Sequence, residues 1–146
     1  MPAGFLKRLL STASHANLPP EDARTAIAAV LVMAARADDS YDAGEREVID
    51  RILAERYNMS LDDAALLRAE GEAVEAEAID LYQFTRAIKQ VVPLEDRIAV
   101  VEALWRVVLA DNVRDPYEDA LMRQLVDRLG LSPMQSALAR QKVSQE

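Results

Sequence analysis

The sequence predicts an all-α fold: a single compact bundle of about seven or eight helices, built from two pseudo-symmetric helix–acidic turn–helix repeats. Three observations carry this. Apolar residues recur at i, i+3, i+4, i+7 in Ile27, Val30, Leu31 and Ala34, and again in Val101, Leu104, Trp105 and Val108. Glycine and proline are scarce, and no window alternates as a half-buried strand does. The stretch A-D-D-S-Y-D-A-G-E (37–45) also returns at a shift of 73 residues, so that Ala37, Asp38, Asp42 and Glu45 fall on Ala110, Asp111, Asp115 and Glu118.

Each element follows from a stripe or a cap. A first helix near 3–14 holds F-L-K-R-L-L, and a second near 20–37 holds the first apolar stripe. Asp42 with Glu45 three residues on opens a helix near 43–57, and Ser60 with Asp63 opens one near 61–76. Asp80 with Gln83 opens 81–92, whose stripe is Leu81, Phe84, Thr85 and Ile88; the Trp105 stripe fills 94–110. Asp115, with Pro116 at the first helical position and Glu118, starts 116–129. Ser132, Pro133 and Gln135 start 133–143 in the same way. The connections are a few residues long, so neighbours pack antiparallel or sharply crossed. The whole chain, 1–146, is read as one domain with repeat halves at roughly 20–60 and 93–132. The core expected from the stripes is Val30, Leu31, Ile52, Phe84, Ile88, Val101, Leu104, Trp105, Val108 and Leu125.

Composition narrows the function. The chain is 51% hydrophobic and 29% charged, as a soluble globular protein is, with 17 basic and 25 acidic residues and a net charge of −8. Fourteen acids and four arginines lie between Asp38 and Asp80, so that segment carries −10. Such a surface repels phosphate backbones, which excludes nucleic acid as a partner. With no cysteine there are no disulfides and no thiolate sites. No apolar run approaches the ~20 residues of a membrane helix, and Lys7 and Arg8 interrupt the N-terminus before a signal-peptide core develops. A cytoplasmic location is expected. F-L-K-R-L-L is expected to dock on the bundle, with peripheral contact to an anionic membrane as the alternative. His15 is the lone histidine and is read as a solvated surface residue. The run E-G-E-A-V-E-A-E-A-I-D (70–80) is read as a solvated helix end able to attract a basic partner.

The acidic turns admit more than one explanation. Asp42 and Asp115 serve as N-caps, each worth about 0.5–2 kcal/mol. Asp38 and Asp111 are not explained this way: each falls in the last turn of a helix, where a carboxylate opposes the dipole by about 0.3–1 kcal/mol. A bound cation reverses that penalty, and so does an arginine partner. The spacing is not that of an EF-hand loop, and oxygen-only ligands favour calcium, magnesium or manganese. The carboxylates sit in caps, not beside aromatics that would raise a pKa, and there is no glycine-rich phosphate loop. An enzyme is not expected.

The doubled A-D-x-x-x-D-x-x-E turn, with L-W-R-V-V-L-A-D before its second copy and L-V-D-R-L-G-L-S after it, resembles the tellurite-resistance TerB family over roughly residues 20–132. The resemblance implies a small all-α stress-response protein that binds a divalent metal through Asp38 and Glu45, Asp111 and Glu118. With the caps Asp42 and Asp115, these form the expected metal set. The same fold forms the N-terminal domain of DnaJ-like membrane co-chaperones, so a metal-free protein–protein interaction module is the alternative. A protein partner is expected under either reading. The chain departs from the family where Asp39 and Asn112 replace a glycine, and where Gly44 stands at a commonly acidic position.

Overall fold

The computed structural model describes residues 4–5, 20–38, 41–110 and 116–146, without the side chains of Pro20 and Asp38. Seven α-helices follow one another among the described residues, with no strand: α1 (Pro20–Ala35), α2 (Ala43–Tyr57), α3 (Leu61–Glu77), α4 (Gln83–Val91), α5 (Leu94–Leu109), α6 (Pro116–Arg128) and α7 (Pro133–Ser144). A 3-10 turn, Arg36–Asp38, extends α1. The all-α prediction holds. The helix expected at 3–14 and His15 lie outside the described residues, apart from Gly4 and Phe5. Phe5 is buried and its ring stacks on Phe84 with centroids 6.3 Å apart.

α1 is the centre of the molecule because its sequence is apolar on every side. All ten residues from Ala26 to Ala35 are buried, the condition for a helix to be surrounded instead of lying on a surface. It packs most extensively on α3, then on α4 and α5. Gly71 permits the α1–α3 crossing: a Cβ there would stand 2.8 Å from the Ala28 backbone. Of the expected core, only Ile52 is not buried. α2 turns Ile49 and Leu53 inward, four apart, and leaves Ile52 half-buried at the edge of the cluster.

The two halves repeat their local devices. α1, α2 and α3 correspond in order to α5, α6 and α7, and the heaviest packing in each half is first helix on third. Ser60 accepts from the Asp63 N–H at 3.0 Å. Ser132 forms the full reciprocal box with Gln135, whose backbone N–H it accepts at 3.1 Å. Asn58 and Gly130, which end the second helix of each half, both take the left-handed conformation, φ 52° and 82°. In both places the next N–H reaches back five residues, Met59 to Ala54 and Leu131 to Val126, each at 3.0 Å. The expected box at Asp80 does not form. Asp80 accepts from the Tyr82 N–H at 3.0 Å, a shorter turn, and α4 opens two residues later at Gln83, whose side chain is buried.

Candidate functional site

The first acidic turn is assembled from the end of α1 and the start of α2. Asp42 is extended, φ −107° and ψ −176°, and its Oδ1 accepts from the Glu45 N–H at 3.0 Å. It is therefore the N-cap that the spacing predicted. Asp42 itself is exposed, but Glu45, one turn into α2, is only 6% exposed. Its counterpart in the repeat, Glu118 in the first turn of α6, is 2% exposed. Carboxylates are seldom buried to this degree without compensation. Both lie at helix N-termini, where the dipole favours negative charge.

Of the six expected metal-set residues, Asp42, Glu45 and Glu118 are thus placed. Asp111, Asp115 and the Asp38 side chain lie outside the described residues, although the Asp38 backbone closes the 3-10 turn. Among the described residues, no group of three or more acidic or histidine side chains converges to hold a metal ion. The described residues do show one contact between the two halves at this end of α1. The 3-10 turn Arg36–Asp38 packs on α6, the helix that the second acidic turn opens. The side chains of Asp42, Glu45 and Glu118 offer hard carboxylate oxygens, a donor type that suits calcium, magnesium or manganese.

A polar network absent from the sequence reading holds the first turn against α3. Tyr41 donates its hydroxyl to Glu72. Glu72 accepts from Arg68 at 2.9 Å, and Arg68 bridges on to Asp50 of α2 at 2.6 Å. Two guanidiniums lie over the Tyr41 ring, Arg36 at 5.1 Å and Arg46 at 5.5 Å from its centre. Arg36 also donates to Glu75 at 2.9 Å. Burial first, and then the Glu72 carboxylate, push the Tyr41 hydroxyl well above its ordinary value. Burial likewise raises Glu75, while Arg36 opposes the rise. The run 70–80 is therefore not simply a solvated helix end: Gly71 and Val74 are buried, and Glu72 and Glu75 serve the turn. The signal was available, since Arg68, Glu72 and Glu75 are four and three residues apart on one helical face.

Beside the turn lies a cleft of about 780 Å³, walled by the 3-10 turn, the connection 78–82 and α6. Arg36, Glu75, Asp80 and Gln124 are its polar lining; Met33 and Leu121 are apolar. Tyr82 closes one end, donating its hydroxyl to Gln124, with Arg128 stacked 3.6 Å from its ring centre. The Tyr82 N–H, and then Arg86, hold the Asp80 carboxyl below its usual range.

Residues 24–141 match the family model of the tellurite resistance protein TerB. The chain belongs to the TerB family. The match covers both acidic turns and every helix from the body of α1 into α7. No curated protein and no solved structure matches the chain. Among the described residues of this TerB-family chain, no helix is long and apolar enough to cross a membrane.

Proposed function

We propose that this TerB-family protein is a non-enzymatic stress-response protein that binds a divalent cation, calcium, magnesium or manganese, between its paired acidic turns. The observation that supports this reading is the packing of the Arg36–Asp38 turn on α6, the helix whose first turn carries the buried Glu118. Asp38 and Glu45 from one half, with Asp111 and Glu118 from the other, would hold the ion, and Asp42 and Asp115 would cap the helices that present them. A bound ion would supply positive charge to offset the carboxylates that oppose the helix dipole. The chain's own residues position the donors: Tyr41, through Glu72, fixes the first turn on α3.

Melting the protein with and without each ion tests this. A saturable rise in melting temperature is expected, corresponding to about 2.7 kcal/mol at a hundredfold excess over the dissociation constant. Asp38→Asn and Asp111→Asn should abolish the rise and slightly stabilise the metal-free protein by removing charges that oppose the dipole. Asp42→Ala and Asp115→Ala should destabilise it with or without metal. If the aspartates only pair with arginines, Asp38→Asn and Asp111→Asn will instead destabilise the metal-free protein. An unchanged melting curve for the parent ends the cation reading for the ions tested.

A further inference from the structure

We propose that the outward face of α3 is a docking site for a cationic amphipathic helix of a partner protein. α3 is apolar on two opposite sides. Its inner side, Ala64, Leu67, Gly71 and Val74, is buried against the rest of the molecule. Shifted by two residues, about 200° round the helix, the same spacing returns in Leu66, Ala69, Ala73 and Ala76. This second stripe faces away from the core: Leu66 is 65% exposed, Ala69 and Ala76 are exposed and Ala73 is half-buried. A helix that rests on the core by one side alone carries polar residues on the other. Apolar residues alternating three and four apart are instead the seam by which one helix packs along another. The alanines let a partner's backbone come close, and Leu66 is the knob that enters its surface.

Charge identifies the kind of partner. Asp63, Glu70 and Glu77, seven residues apart, run along one edge of the stripe, and Asp62 stands at its head. Among the described residues none of the four has a cation within ion-pair distance. Glu70 accepts the Thr25 hydroxyl at 3.4 Å. The neighbouring guanidiniums are engaged elsewhere. Arg68 is held by Asp50 and Glu72, and Arg36 by Glu75. Arg24 and Arg56 lie over Tyr57, and Arg46 over Tyr41. Arg51 stands on α2 one turn from both Glu47 and Glu55. With all of these counted, residues 43–77 still hold ten carboxylates and four arginines, and Arg24 and Arg36 of α1 are matched in number by Glu21 and Asp22. A row of lysines or arginines on an incoming helix offsets that excess, whereas a second copy would bring like charge to the same seam. No residue of this face is a carboxylate of the cation reading, so either proposal can fail alone.

The probe is a fluorescein-labelled helical peptide of about 18 residues, roughly five turns, with leucine along one seam and lysine on both its edges. Its anisotropy is followed at low ionic strength, beside a peptide with glutamate in place of every lysine. The parent should bind the lysine peptide at least about tenfold more tightly than the glutamate peptide. Leu66→Asp should weaken that binding about fivefold or more, a typical loss for an interface anchor. The substitution adds an acid, so diffuse attraction alone would strengthen binding; only a lost apolar contact weakens it. Leu66 is exposed, so the variant should keep the parent's circular dichroism and melting curve. A second variant, Glu70→Gln with Glu77→Gln, leaves the apolar seam whole and should weaken binding about threefold or more. Leu138→Asp, at an exposed position on α7, should bind as the parent does. The proposal is overturned if the parent ignores the lysine peptide or takes both peptides alike. It is equally overturned if either α3 variant binds like the parent, or if Leu138→Asp loses as much. A parent that sediments as a dimer and becomes monomeric with Leu66→Asp would make the occupant a second copy, and overturns it too.

Discussion

Tyr41 shows how much one side chain decides in this molecule. It stands in the connection between α1 and α2, yet its hydroxyl is donated to Glu72 of α3, and Arg36 and Arg46 both lie over its ring. Tyr41→Phe keeps the ring and both guanidinium contacts and removes only the hydroxyl. A hydrogen bond to a charged acceptor is worth about 1.5–3 kcal/mol; Arg68 still satisfies Glu72 in the variant, so the loss should fall near the lower figure. Urea denaturation of the two proteins measures it, and a loss below about 0.5 kcal/mol would show that the hydroxyl does not hold the turn. Under the proposed cation reading, the same variant should also weaken the rise in melting temperature expected with calcium, since the turn carrying Asp42 loses its anchor on α3.

At the scale of the element, the crossing of α1 over α3 depends on the absence of a side chain. Gly71 lies in the interior of α3, where glycine costs about 0.5–1 kcal/mol relative to alanine. It is kept because a Cβ would meet Ala28 backbone and side-chain atoms at 2.8 Å and the Ala29 nitrogen at 2.9 Å. Two of these are backbone atoms and the third is a Cβ fixed to the backbone, all within the buried stretch 26–35 of α1, and none can swing aside as a flexible side chain would. Gly71→Ala should therefore destabilise the fold, overpacking of about 1–3 kcal/mol outweighing the helix-propensity gain. A higher melting temperature for the alanine variant would mean that α3 can slide outward at little cost. The caps belong to this scale as well. They were readable from Ser60 and Ser132 because a cap needs only residues three apart. At Asp80 the reading failed, because the buried Gln83 side chain and the Tyr82 turn determined where α4 starts.

At the scale of the whole molecule, the repeat makes the two halves face each other through α1 and α5. Within the second half, Trp105 joins α5 to α7. It is 8% exposed, donates its indole N–H to Ser136 of α7 at 3.1 Å, and is covered by Arg140 at 5.0 Å. Trp105→Ala should cost about 3–5 kcal/mol, since the cavity cannot close without moving α7. Chemical denaturation followed by far-ultraviolet circular dichroism reads the loss. A cost near 1 kcal/mol would show that α7 relaxes onto the gap and that the second half is less tightly packed than the first.

The sequence by itself determined the helices, their order, most of the core and the doubled acidic turn. These depend on local spacing, on 3.6-residue periodicity and on caps that involve neighbours in the chain. Ile52 escaped it because Ile49 and Leu53 sit equally well on a helical stripe, and only the packing of α2 against its neighbours chooses between them. Ala37 and Asp38 could be matched to Ala110 and Asp111 by a shift of 73, but nothing local says that the first turn lies against α6. Nor does it say that Glu45 and Glu118 are buried. Tertiary structure alone decided these, together with the bond from Tyr41 to Glu72, 31 residues away, and the cleft between Ile79 and Tyr117. A contact between distant segments depends on how helices cross. The crossing here is set by the missing Cβ at Gly71 and the all-round burial of residues 26–35 of α1, which act only once the chain is folded.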